Sequence, residues 1–72
     1  MNREDLEYDI SIAVGRWDGV STFVLAGVEG LTRYDLDTLK MCCDHYEEYG
    51  SLCPFWKFPD PLKEVLVRYG ML

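Results

Sequence analysis

Four residues in one short stretch carry side chains able to ligate a metal or act as nucleophiles: Cys42, Cys43, His45 and Cys53. Structural zinc is held by cysteine and histidine ligands that come in closely spaced pairs. Adjacent side chains on a helix diverge by about 100°. Cys42 and Cys43 therefore cannot both face one ion. Cys42 and His45, three apart, share a face. Cys53 would have to fold back to them, and a fourth ligand such as Glu48 would be needed. A plainer account competes with this one. Cys43 falls on an apolar stripe, and a buried free cysteine behaves as a small apolar residue. No metal and no cofactor are expected. A cysteine–histidine nucleophile pair, Cys42 or Cys53 with His45, is the next candidate. A chain of 72 residues leaves little room for a pocket and an oxyanion site as well. There is no glycine-rich phosphate loop and no usable serine–histidine arrangement. No catalytic residue is assigned, and the chain is expected not to be an enzyme.

The remaining chemistry is that of surfaces. Thirteen acids against seven bases give a net charge of −6. The excess is concentrated in residues 1–48, with eleven acids and four bases; residues 49–72 hold two acids and three bases. This balance opposes attraction to phosphate backbones and suits a basic partner or plain solubility. Aromatic side chains ringed by charge are what protein interfaces use as anchors. Two groups fit. One is the flank Tyr34, Met41, His45 and Tyr49, with the acids Asp37, Asp44 and Glu48 nearby. The other is Phe55 and Trp56, within the segment SLCPFWKFP. An alternative use of the same rings is to cover a thin core, as small domains need.

These residues must be positioned by local elements. The N-terminal stretch reads as a helix, with Asn2 as its cap, Asp5 in the capping-box position and Met1 with Leu6 as a staple. Leu6, Ile10, Ala13, Val14 and Trp17 follow helical spacing. The rival is a strand, since Tyr8, Ile10, Ile12 and Val14 also alternate. Asp18-Gly19 marks a turn. Val20, Phe23, Val24, Gly27 and Val28 then fit a short buried helix capped by Asp18 or Ser21, although β-branched content leaves a strand open.

The clearest element spans 33–49. Thr32 is its N-cap, Asp35 completes a capping box, Leu31 with Leu36 forms a staple, and Gly50 suits a left-handed cap. Leu36, Leu39, Cys43 and Tyr46 share one face. Arg33, Asp37, Lys40, Asp44, Glu47 and Glu48 share the opposite one. Between them runs the flank of Tyr34, Thr38, Met41, His45 and Tyr49. Asp60 is placed as the cap of a last helix, with Pro61 at N1. Leu62, Val65, Leu66 and Tyr69 line its inner face, and Gly70 ends it.

The central stretch resembles a helix-turn-helix. Leu25-Ala26 precedes Gly30-Leu31-Thr32, and Leu36 and Leu39 follow. In that motif a small residue lets two helices pack closely, a glycine makes the turn, and apolar residues anchor the second helix. The resemblance covers residues 20–40, and it implies a tri-helical or winged form. It also implies a DNA-reading set: Thr32, Arg33, Tyr34 and Thr38, with Asp37 beside them. Glu29 departs from the pattern, at a position usually apolar or small. The cations that would hold phosphates are also few, since only Arg33 and Lys40 lie on this helix.

The first nine residues carry four acids and no apolar stretch, unlike a secretory signal. No segment has the roughly 20 apolar residues that span a bilayer. Three cysteines, an odd number, suit reduced thiols in the cytoplasm. The expectation is an all-α single domain, 1–72, of about four helices, helix-turn-helix-like, with a short β-hairpin at 51–58. The expected function is an acidic protein-interaction module. A phage or mobile-element inhibitor that occupies a basic, nucleic-acid-binding surface would have this size and charge. Its partner would be a protein with a basic surface, with no membrane; a homodimer is an option, and the regulator that is the alternative would form one through the 61–72 helix. The alternative is a small helix-turn-helix transcriptional regulator.

Overall fold

A computed structural model describes residues 3–16 and 22–72. The elements are α1 (Arg3–Gly15), β1 (Phe23–Leu25), β2 (Val28–Leu31), α2 (Arg33–Tyr49) and α3 (Asp60–Arg68). The domain is therefore α+β, with three helices among the described residues and a hairpin between the first two. The expectation of about four helices and an all-α fold is overturned. So is the hairpin expected at 51–58, which contains no strand. Trp17, the Asp18-Gly19 turn, Val20 and Ser21 lie outside the described residues, as do Met1 and Asn2.

The hairpin is built by its turn. Ala26 (φ 56°) and Gly27 (φ 80°) are both left-handed. A two-residue turn with positive φ at both positions matches the twist of the flanking strands. The strands pair antiparallel, Phe23 with Leu31 and Leu25 with Val28, with a bulge between Phe23 and Leu25. Gly30 is also left-handed (φ 84°). A stretch with three such residues cannot be a helix, whatever its apolar spacing. Hence the expected first helix of a helix-turn-helix does not form, and Ala26 sits in a strand turn instead of a helix contact.

The helix boundaries follow short-range rules. Asp35 N–H donates to Thr32 Oγ1 at 3.2 Å, and Thr32 N–H donates to Asp35 Oδ2 at 2.8 Å, the reciprocal pair of a capping box. Gly50 closes α2 in a left-handed conformation, its N–H donating to Tyr46 O at 2.8 Å. The last helix begins one residue earlier than expected. Its cap is Pro59, whose carbonyl accepts from Leu62 and Lys63, and Asp60 is already helical with no side-chain capping bond. Its end is a Schellman motif: Met71 N–H donates to Leu66 O and Gly70 N–H to Val67 O.

One core joins these pieces. Leu6 and Ile10 of α1 meet Leu25, Val28 and Leu31 of the hairpin, four buried residues of α2, and Leu62, Val65 and Leu66 of α3. The first helix lies against α2 and β1, and α3 lies against β2. The hydroxyl of Tyr69 donates to the Asp9 carboxylate, tying the end of the chain to α1. Arg68 donates to Ala26 O, latching α3 to the hairpin turn. The helices α2 and α3 are not a closely packed pair. The segment 51–59 bridges the space between them.

Candidate interaction groove

That bridging segment creates the site. A groove of about 610 Å³ opens between α2 and the segment 55–59. Its lining includes Tyr34, Asp37, Thr38 and Met41 on one wall and Phe55, Trp56 and Phe58 on the other. Cys42 and Leu62, both buried, also border it. Phe55 is 88% exposed and Tyr34 77%, the two most exposed large apolar side chains among the described residues. Both line this one groove.

The loop is held in place by His45. Its Nδ1 lies 2.7 Å from Ser51 O. A carbonyl only accepts, so Nδ1 carries the proton and donates. The His45 ring also packs on Tyr49 (centroids 4.5 Å apart) and on Trp56 (4.9 Å). Trp56 in turn meets Phe58 edge-on at 6.1 Å. Such ring pairs add about 0.5–1.5 kcal/mol beyond their burial. His45 thus positions a groove wall.

Beside the groove runs a row of acids. Asp37, Met41, Asp44 and Glu48 follow i, i+4, i+7, i+11 spacing, which places them in one line along α2. Tyr34, Thr38, His45 and Tyr49 form the parallel line next to it. The three acids of the row and Tyr49 are exposed. Of the nine expected partner-binding residues, Tyr34, Asp37, Met41, Phe55 and Trp56 line the groove, while Asp44, His45, Glu48 and Tyr49 lie on α2 outside its lining. Asp35, Lys57, Phe58, Pro59 and Leu62 border the groove as well and were not singled out for it. The F-W-K-F-P run was the available signal for three of them.

The DNA-reading set is placed differently. The Thr32 side chain is bound up in the capping box. Thr38 Oγ1 donates to Tyr34 O at 3.0 Å, within its own helix. Arg33 Nε sits 3.5 Å from Asp37 Oδ1. Only Tyr34 projects without such a bond among those described.

The cysteines do not assemble a metal site. Cys42, His45 and Cys53 do not bring ligand atoms together; among the described residues only Glu7, Asp44 and Glu47 do, within 4.8 Å. Arg3 already serves that cluster, at 3.1 Å from Glu7 and 3.5 Å from Glu47. Both Cys42 and Cys43 are fully buried, so the core face of α2 is wider than its apolar stripe implied. Burial pushes the Cys42 thiol up to about 11. Burial first, and then the charge of Glu7, push Cys43 up to about 12. Neither is a thiolate at neutral pH, and so neither is a ready nucleophile.

Compared with family models, with curated proteins and with solved structures, the chain matches none. No helix among the described residues is long and apolar enough to cross a membrane.

Proposed function

We propose that this domain is a non-enzymatic interaction module that seats on the basic surface of a partner protein. One observation carries the proposal: among the described residues the two most exposed aromatic rings line a single groove, and Asp37, which lines it too, begins a row of exposed acids along α2. Exposed aromatic side chains at a concave site are the usual anchors of binding. Complementary charge around them steers encounter and excludes wrong partners. If the partner's basic surface normally holds nucleic acid, occupying it makes the domain an inhibitor of that binding.

Reading of duplex DNA by α2 is the weaker alternative. Phosphate contacts need several free cations. The helix offers Arg33, which faces Asp37, and Lys40, against five acids.

Selection from a random displayed peptide library against the immobilised domain tests the proposal. Recovered peptides should combine an aliphatic or aromatic residue with Lys or Arg. Phe55→Ala and Asp44→Lys should each weaken them, Phe55→Ala by about tenfold. Both side chains are exposed, so the fold should tolerate either change. Peptides without basic bias, or binding by both variants as tight as by the unsubstituted domain, would overturn it.

A further inference from the structure

Resting on the proposed interaction role, we infer that the groove contains a subsite for a cationic side chain, an arginine guanidinium or lysine ammonium, at the mouth flanked by Tyr34 and Phe55. Three features of the molecule point to it. Tyr34 and Phe55 are exposed far beyond what packing requires. A cation within about 6 Å of an aromatic face is attracted by the ring quadrupole. Asp35 and Asp37 are among the residues that line the same groove. One oxygen of Asp35 is used by Thr32 N–H, and Asp37 faces Arg33 at 3.5 Å. The Asp37 carboxylate thus already takes a guanidinium as its partner, that of Arg33, which lies outside the groove lining. A neutral apolar anchor would gain nothing from these carboxylates and would have to desolvate them. A cation would be stabilised by both rings and carboxylates.

Among the described residues, the chain's own Lys57 is the one base in the lining. It therefore competes with an incoming cation, either by repulsion or by occupying the subsite. This makes a specific expectation: removing Lys57 should strengthen binding, which a residue with a merely structural role would not do.

The test uses three short probe peptides, acetyl-Gly-Leu-Xaa-Leu-Gly-amide, with Xaa arginine, lysine or citrulline. Citrulline keeps the shape of arginine but carries no charge, and a carbonyl oxygen replaces one of its nitrogens; the lysine peptide separates charge from that change of donors. Binding is followed by NMR shifts of the Tyr34, Phe55 and Trp56 resonances at low ionic strength. The arginine and lysine peptides should bind about fivefold more tightly than the citrulline peptide. Asp37→Asn and Tyr34→Ala should each reduce that preference, and Lys57→Ala should enlarge it. Equal binding of arginine and citrulline peptides at the groove would overturn the cation subsite and leave the interaction role standing. A charge preference unchanged in both Asp37→Asn and Tyr34→Ala would also overturn it, by placing the cation elsewhere on the acidic surface. Groove resonances unmoved by any of the peptides would overturn both the subsite and the groove's binding role.

Discussion

Single residues decide how this domain responds to pH. Cys42 and Cys43 have thiols raised from 9.0 to about 11 and about 12, because burial disfavours the charged form. Tyr69 is raised too, chiefly by burial and then by its hydrogen bond to Asp9. The sign follows from proton linkage. Above 9.0 an unfolded thiol releases its proton while the folded one keeps it. The stability linked to these groups is therefore complete below 9.0 and is lost as pH rises towards their folded values. Each thiol contributes a slope of up to roughly 1.4 kcal/mol per pH unit in that window. Urea unfolding midpoints should hold steady from neutral pH to 9.0 and fall steeply beyond it. Cys43→Ala should be less stable at neutral pH, because it leaves a small void. Its alkaline slope should be shallower. An equal slope would show that the buried thiol is not the titrating group. His45 matters differently, through position: its ring and its bond to Ser51 hold the wall that carries Trp56.

Elements show where a pattern of residues is ambiguous. The segment from Phe23 to Leu31 carries apolar residues at helical spacing, yet the same residues serve a bulged hairpin. The turn decides the outcome. Ala26 is held left-handed, which disfavours a side chain by roughly 1–2 kcal/mol. Gly27 is left-handed as well, and a Cβ there would come within 2.6 Å of Arg68 Nη1. Ala26→Gly should thus stabilise the domain by about 0.5–1 kcal/mol. Gly27→Ala should destabilise it by more than about 1 kcal/mol. In a helix both signs would be reversed, since alanine is the better helix former. Thermal midpoints of the two variants, measured together, separate the two structures. The capping box and the Schellman end, by contrast, are visible directly in Leu31-Thr32-Arg33-Tyr34-Asp35 and in Tyr69-Gly70-Met71. They depend on hydrogen bonds between residues only a few positions apart.

The whole molecule is governed by its charge and by the gap between α2 and α3. With a net charge of −6, and acids along the exposed side of α2, a duplex should be repelled. Fluorescence anisotropy against random-sequence duplex at low ionic strength should show no binding. Binding that falls steeply with added salt, and that Arg33→Ala weakens, would replace the interaction module with the regulator. At this scale the candidate site was partly legible. Phe55, Trp56, Tyr34 and Met41 were marked by being aromatic or apolar where charge surrounded them. That they form two walls of one groove was not visible. It requires the loop to fold back on α2 through His45, Ser51 and Trp56.

The amino-acid sequence by itself determined α2 and its caps and the end of α3 at Gly70, while for Ile10, Ala13 and Val14 it left a strand open beside the helix. It also determined the acid row along α2. These depend on short-range hydrogen bonds and on a 3.6-residue period, both readable within one turn or two. Tertiary structure alone decided the hairpin, the burial of Cys42 beside Cys43 and the groove. In each case the local pattern allowed two outcomes, and contacts between residues distant in the chain selected one. Arg68 reaches Ala26, Tyr69 reaches Asp9, and the loop after Gly50 closes over a space that α2 and α3 do not fill themselves.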